Sequence, residues 1–241
     1  MKVFAITDIG RVRPINEDSY YAPEEGERFC AVADGMGGHN AGEVASALAI
    51  QVFSQNMRGV DPITAEAMHA AVEQANEAVY QAALENAEMS GMGTTFSALA
   101  VQDDTVYLAH VGDSRIYLVR NGAIMQLTTD HTLVEQMVQK GMITPREARV
   151  HPRRNIITRA LGTDASVEID ILQVAVCPGD AFFLCSDGMT NFVEEREILE
   201  AASGEGDWQQ KLERLLSIAL ENGGTDNITA LFAAFEEAAD R

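Results

Sequence analysis

The sequence predicts an α+β fold in which mostly antiparallel sheets are covered by helices. Stretches with helical character and runs with strand character are clustered along the chain, and several short strand-like runs follow one another between residues 92 and 127. A doubly wound parallel sheet would instead need helices and strands in strict alternation. The 241 residues, 46% of them hydrophobic, are enough for one large domain, and no linker or repeat interrupts them. We therefore expect a single domain over residues 1–241.

The predicted elements begin with two helices. The first covers residues 41–57, and the second opens at Asp61-Pro62, an N-cap followed by Pro in the first turn, and extends to Glu88. Four strand-like runs follow at residues 94–101, 105–111, 115–119 and 123–127, the last two joined by the turn Asn121-Gly122. These runs predict a meander of antiparallel strands.

The second half of the chain begins with a polar, helix-prone insertion at residues 131–155. Thr144 and Glu147 fit a capping box there, with Pro145 at the first helical position. Strand-like runs at 167–176 and 181–185 are separated by the turn Pro178-Gly179. Helical stretches at 194–202 and 208–221 and a final strand-like run at 228–235 complete the predicted order.

The amino-acid composition limits which binding partners and which cellular compartment are expected. Against 37 acidic residues there are 17 basic ones, and the net charge of −20 repels nucleic acid and anionic membrane surfaces. The three cysteines, Cys30, Cys177 and Cys185, form an odd number without metal-ligand spacing, which favours a reducing compartment. The first apolar run ends too early for a signal peptide, and no stretch approaches the ~18 apolar residues of a membrane-spanning helix. We expect a cytoplasmic protein.

Four aspartate-bearing turns lie at the ends or starts of apolar, strand-like runs: Asp34-Gly35, Gly112-Asp113, Asp187-Gly188 and Asp226-Asn227. Asp-Gly is a common hairpin turn, but no second strand directly follows Asp34-Gly35 or Asp187-Gly188. Asp113 and Asp226 are weaker signals, because each could belong to a plain connection or a helix C-cap. Together the four turns predict a carboxylate site for hard divalent cations.

Eight short motifs extend over nearly the whole chain, at residues 7–18, 32–39, 91–95, 110–115, 129–132, 157–162, 185–188 and 224–229. In this order they resemble the motifs of the metal-dependent protein phosphatases of the type 2C Ser/Thr family. The form Asp34-Gly35-Met36-Gly37-Gly38-His39 is similar to that of compact bacterial members. The resemblance implies a four-layer α-β-β-α sandwich of two antiparallel sheets flanked by helices, with a two-metal site at one edge.

The resemblance also implies the metal ligands. Asp34 would bridge both ions, the Gly35 carbonyl would complete one of them, and Asp187 with Asp226 would complete the other. Oxygen donors with retained waters suit Mg²⁺ or Mn²⁺, and the absence of a His/Cys cluster argues against zinc. Two such ions, roughly 3.5–4 Å apart, can position a phosphate and acidify the attacking water. Asp113 could hold a third, weaker ion, and Asp18 would order metal-bound waters.

Three further features complete the expected site. Arg13 is the candidate for binding the substrate phosphate, and His39 is the candidate general acid for the leaving group, although an isolated Arg or His is more often exposed or structural. His110 and His131 are expected to support neighbouring loops.

The insertion at 131–155 matches the position of the family's variable flap. Its arginines, Arg153 and Arg154, either attract phosphorylated segments or balance nearby acids.

These features predict a Mg²⁺- or Mn²⁺-dependent phosphatase for phosphoserine and phosphothreonine in proteins. One alternative is a catalytically silent, phosphoprotein-binding regulatory module with the same fold. A second alternative, another two-metal hydrolase such as a nuclease, is disfavoured by the strong negative charge. Phosphorylated proteins are the expected partners, the resemblance to bacterial members suggests a partner Ser/Thr kinase, and we expect a monomer.

Overall fold

The computed structural model describes residues 1–37 and 41–235. The strands in this part of the chain are β1 (Lys2–Asp8), β2 (Asp18–Tyr21), β3 (Phe29–Met36), β4 (Gly93–Thr94), β5 (Phe96–Gln102), β6 (Thr105–Val111), β7 (Arg115–Arg120), β8 (Ala123–Gln126), β9 (Asp170–Ala175), β10 (Ala181–Cys185) and β11 (Ile228–Ala234). The helices are α1 (Ala41–Met57), α2 (Ala65–Glu85), α3 (Leu133–Gln139), α4 (Pro145–Arg149), α5 (Asp187–Thr190), α6 (Glu195–Ser203) and α7 (Trp208–Glu221). A 3₁₀ turn at Ala87–Met89 follows α2.

The strands form two sheets whose paired strands are all antiparallel. One sheet has the order β1-β11-β10-β7-β8, and the other has the order β2-β3-β5-β6-β9, with β4 beside β3. Helices α1 and α2 cover the second sheet, while α6 and α7 cover the first. A third apolar layer lies between the sheets. This confirms the four-layer α-β-β-α sandwich that the resemblance implies.

Strand β10 shows how one strand contributes to two layers. Phe182 and Leu184 pack in the layer between the sheets, whereas Phe183 and Cys185 pack under the helices. Successive side chains of a strand point to opposite faces of its sheet, so a strand covered on both sides is apolar throughout. This explains why the run 181–185 is apolar without alternation.

The predicted meander is confirmed within its two hairpins, β5–β6 and β7–β8, and is wrong between them. Strand β6 pairs with β5 and β9, whereas β7 pairs with β8 and β10 in the other sheet. The chain crosses between the sheets at Gly112, whose φ of +109° favours glycine and where a Cβ would lie 2.6 Å from the Thr95 side chain. The strands β9 and β10, on either side of the Pro178-Gly179 turn, also belong to different sheets.

The start of α2 also differs from the prediction. Thr64 is its N-cap, with a side chain that accepts a hydrogen bond from the Ala67 N–H at 3.2 Å. The Asp61 carboxylate instead pairs with Arg28 at 3.1 Å. Because Thr64 satisfies the free N–H groups of the first turn, the helix begins three residues after Pro62, at Ala65.

The flap, defined here as residues 131–155, contains α3 and α4. The predicted capping box of α4 is confirmed: the Thr144 N–H donates to Glu147 Oε2 at 2.7 Å, and the Glu147 N–H donates to Thr144 Oγ1 at 3.3 Å. Among the helices of the described ranges, none combines the length and the apolar character needed to cross a membrane.

Candidate active site

Five aspartates from distant parts of the chain meet at one edge of the two sheets. Asp34, near the end of β3, lies opposite Asp18 at the start of β2. Asp113 lies in the crossing between β6 and β7, and Asp187 opens α5 directly after β10. Asp226 precedes β11 by two residues. Each carboxylate is thus placed by a strand end, and the antiparallel pairing fixes their common edge.

The electrostatics of Asp34 show how closely these side chains converge. Its pKa is raised well above the usual range, first because the group is removed from water and then because of the charges of Asp18, Asp187, Asp113 and Asp226. Burial followed by neighbouring carboxylates likewise raises the pKa of Asp18 and of Asp113 to about 7. The fold therefore brings together like charges that disfavour one another's ionised form.

Asp187 belongs to the same cluster. Its pKa is raised by burial and then by the charge of Asp226, and hydrogen bonds from Asn191 and from Asp34 partly offset the rise. Asn191 Nδ2 lies 3.1 Å from Asp187 Oδ2. Asp187 is thus linked directly to the side chain predicted to bridge two ions.

Asp18 provides the clearest sign that a cation completes this site. Its Oδ2 accepts a hydrogen bond from Ser186 Oγ at 2.7 Å, whereas its Oδ1 is buried and has no hydrogen-bond partner in the described structure. A buried carboxylate oxygen without a partner is costly, and a metal ion or a water held by one would satisfy it. The nearby donors are oxygens, which suits Mg²⁺ or Mn²⁺.

Across residues 1–37 and 41–235, no three Asp, Glu, His or Cys side chains already form a closed set of metal ligands. In a magnesium-type site few protein oxygens bind the ion, and waters fill the remaining positions. The carboxylate oxygens of the cluster and the unpartnered Oδ1 of Asp18 fit such an ion.

The backbone around Asp34 is fixed by two threonines and a glycine. The Asp34 N–H donates to Thr95 Oγ1 at 2.9 Å, and its carbonyl accepts from Thr94 Oγ1 at 2.9 Å. The Gly35 N–H donates to the Glu17 carbonyl at 3.0 Å. A Cβ at Gly35 would lie 2.1 Å from the Gly42 carbonyl oxygen, so only glycine allows α1 to approach β3 here.

Arg13 contacts a predicted metal ligand. Its Nη2 and Nε atoms each lie 2.9 Å from an oxygen of Asp226, forming a two-point contact, and its Nη1 lies 3.7 Å from Glu17. The side chain of Arg13 is 45% exposed. The group predicted to bind phosphate thus holds the carboxylate predicted to bind metal.

Asn227 is a residue of the site to which sequence reasoning assigned no role. Its Oδ1 accepts from the Glu17 N–H at 2.8 Å, and its Nδ2 donates to the carbonyls of Ile9 and Ile15, both at 2.9 Å. The residue is 4% exposed. Asn227 therefore fastens the loop that carries Arg13 to the segment that carries Asp226. Its place in the 224–229 motif is the only sequence signal for this role.

His110 and His131 have supporting positions. His110 is buried, its Nδ1 lies 2.9 Å from Ser97 Oγ, and burial lowers its pKa to about 4, so it is neutral at physiological pH. His131 Nδ1 accepts a hydrogen bond from the Gly112 N–H at 3.1 Å, one residue before Asp113. Both positions match the predicted supporting role. His39, the predicted general acid, lies outside the described residues.

The sequence matches a known protein family over most of its length. The Protein phosphatase 2C model matches residues 12–233. The chain belongs to the protein phosphatase 2C family. The serine/threonine phosphatase stp of Listeria monocytogenes is 38% identical to it over 232 residues, which cover 93% of this chain and 92% of that protein.

Solved structures of the protein phosphatase 2C family share this fold. The crystal structure of the Mycobacterium tuberculosis serine/threonine phosphatase PstP/Ppp matches with a TM-score of 0.91 and 40% identity, covering 98% of this chain and 99% of that one. The catalytic domain of PstP in complex with 2 manganese ions matches with a TM-score of 0.89 and 38% identity, covering 98% of each chain. At this identity, the likeness extends beyond the fold to the family.

The aspartate cluster predicts how the stability of this type 2C family member depends on pH. Folding raises the pKa of Asp18 and Asp113 from 3.8 to about 7, so their protonation favours the metal-free folded state. This stabilisation is complete below about pH 4 and is lost as the pH rises through about 7. We expect the Tm in EDTA to fall between about pH 5 and pH 8, as measured by differential scanning fluorimetry.

Added Mn²⁺ should raise the Tm more at the upper end of this range, because ions and protons compete for the same carboxylates. Asp18→Asn is the control, and its Tm in EDTA should depend less on pH. An equal Mn²⁺-induced Tm rise at both pH values would contradict the interpretation.

Asn227→Ala tests the loop attachment. Removal of its hydrogen bonds, with three backbone groups left unpaired, should lower the free energy of unfolding by about 2–3 kcal/mol. The matched control is Asn222→Ala, which removes one exposed bond to the Phe192 carbonyl and should cost about 1 kcal/mol or less. Urea denaturation measures both values. Equal losses in the two variants would show that Asn227 does not fasten the loop.

Proposed function

We propose that this protein-serine/threonine phosphatase hydrolyses phosphoserine and phosphothreonine in proteins, with a water activated by two divalent metal ions. The observation that carries the proposal is the convergence of four aspartates on Asp34, together with the unpartnered buried oxygen of Asp18. The similarity to PstP, which has been solved with 2 manganese ions, supports the same use of the site.

The proposed ligands are Asp34, Asp187 and Asp226 with the Gly35 carbonyl, and Asp113 would contribute to a third, weaker site. When bound, Mg²⁺ or Mn²⁺ supplies positive charge for the phosphate and lowers the pKa of a water. The chain contributes the fixed carboxylates, and Ser186 orients Asp18 through its 2.7 Å hydrogen bond. This arrangement suits hydrolysis of a phosphate monoester, whose uncatalysed reaction is extremely slow.

Arg13 would bind the phosphate of the substrate. The guanidinium edge that contacts both oxygens of Asp226 can form the same two-point contact with a phosphate. We propose that Arg13 exchanges the Asp226 carboxylate for a phosphate when substrate enters. His39 would donate a proton to the serine or threonine oxygen as it leaves.

The physiological setting is part of the proposal. We propose that residues 1–241 act as a single, monomeric phosphatase domain in the cytoplasm and reverse the phosphorylation made by a Ser/Thr kinase. The alternative is a silent, phosphoprotein-binding module. Retention of Arg13 and of every predicted metal-binding aspartate in one cluster favours an active enzyme.

Phosphate release from a phosphothreonine peptide, measured with Mn²⁺ and with EDTA, tests the activity. We expect release only with the metal. Asp34→Ala and Asp187→Ala should each lower kcat by about 1,000-fold or more, because they remove charge stabilisation worth several kcal/mol. The exposed Asp164 supplies the control, and Asp164→Ala should retain activity. Peptide binding without any phosphate release would instead identify the silent module.

Arg13→Ala tests the phosphate contact separately. We expect KM for the phosphopeptide to rise about tenfold, with a smaller decrease in kcat, because a charge-assisted contact to the phosphate is lost. The control is Arg11→Ala, which removes an exposed arginine of the same loop. An unchanged KM in the Arg13 variant would remove this residue from its proposed role.

A further inference from the structure

A wide groove opens beside the aspartate cluster. Its lining comprises Asp113 and Asp187, residues of the flap, and the segment from α5 into α6. Its volume is about 1050 Å³. Small-molecule sites are typically about 300–1,000 Å³, so this groove has room for more than one phosphorylated side chain. We call it the flap groove.

The arginines that line the flap groove differ in their partners. Arg115 forms an ion pair with Asp130 at 2.6 Å, and Arg196 forms one with Glu200 at 3.5 Å. Arg149, the last residue of α4, and Arg154 have no acidic side chain within ion-pair distance in the described part of the chain. Their two positive charges are therefore free to bind a ligand.

The part of the lining that runs from α5 into α6, called here the α6 wall, has the opposite charge. Glu194 and Glu197 line it and close the capping box of α6, and Glu195 lies exposed between them. Glu135, on α3, also lines the groove, yet it forms no ion pair with either free arginine in this structure. An anion that enters the flap groove is thus repelled by the α6 wall and attracted to the α4 end of the flap.

We propose that the flap groove binds the substrate polypeptide next to its phosphorylated residue, and that Arg149 and Arg154 bind an anionic side chain there. This inference rests on the proposed phosphatase function and specifies which substrates it selects. The anion is either a carboxylate or a second phosphoryl group, because both accept charge-assisted hydrogen bonds from guanidinium. In a protein with a net charge of −20, two free arginines beside the site offset a general repulsion of anionic substrates.

Phosphothreonine peptides with otherwise neutral flanks provide the test. In one peptide series a single Glu is placed in turn at each position on either side of the phosphothreonine. In a second series a phosphoserine replaces the Glu at each of these positions. We expect one position, on one side of the phosphothreonine, to be preferred. Compared with the peptide with neutral flanks, Glu at this position lowers KM about threefold, and the second phosphoryl group lowers it about tenfold. Raising the ionic strength should weaken both effects.

Two double variants distinguish the contact made by Arg149 and Arg154 from the effect of the overall charge of the flap. Arg149→Ala/Arg154→Ala should abolish the preference. Arg146→Ala/Arg153→Ala removes two other exposed flap arginines that do not line the groove, and it should keep the preference. Each rate is divided by the same variant's rate on p-nitrophenyl phosphate, which has no flanking residues, so a general change in activity cancels.

A binding measurement keeps this inference distinct from the phosphatase proposal. The same peptide series, made with a non-hydrolysable phosphonate and a fluorescent label, is titrated with the protein in Mn²⁺, and Kd is read by anisotropy. A flank preference in Kd that disappears with Arg149 and Arg154 supports the inference even without turnover. No preference at any position, or an equal loss in both double variants, overturns it, whether or not the phosphate is released.

Discussion

The repulsion among five carboxylates at one edge of the sandwich is the constraint on which the site depends. Each aspartate raises the energy of its ionised neighbours, as the high pKa values of Asp34, Asp18 and Asp113 show. The fold must supply enough stability elsewhere to hold them together. Its three apolar layers provide that stability, because both sheets are covered on both faces. A bound cation would relieve this repulsion, because its positive charge neutralises the carboxylates.

Precision in this site comes from hydrogen bonds between segments that are far apart in the sequence. Thr95 fixes the backbone of Asp34, Ser186 fixes the Asp18 carboxylate, and Asn227 fixes the loop of Arg13. Gly35 and Gly188 allow the segments to approach, since a Cβ at Gly188 would lie 1.9 Å from the Asn227 carbonyl oxygen. A divalent ion needs its donors placed within a fraction of an ångström, so these contacts are as necessary as the aspartates themselves.

The proposed chemistry and the proposed substrate selectivity would lie in different parts of the molecule. The aspartates are held by strand ends, where the backbone pairing leaves little freedom. The flap contributes charged side chains on short helices between β8 and β9, where change does not disturb the sheets. If the flap groove binds substrate as proposed, residues around it could change which phosphorylated segments are accepted without changing the reaction.

Local signals determined much of the structure before any fold was considered. The bounds of α1 and α7 and the capping box of α4 follow from helical periodicity and caps, which act over a few residues. The aspartates proposed to bind metal stand in motifs that the sequence carries by itself. The start of α2 was misjudged because Asp61-Pro62 and Thr64 are both good helix-start signals, and the sequence alone does not rank them.

Only the tertiary structure decided which distant segments meet. Strands β6 and β7 follow one another along the chain yet lie in different sheets, because pairing depends on partners such as β9 and β10 that come some 60 residues later. The contact of Arg13 with Asp226 spans 213 positions, and the role of Asn227 depends on carbonyl groups 218 and 212 positions away. No periodicity or motif spacing encodes such contacts, since they arise when the two sheets close on their common apolar layer.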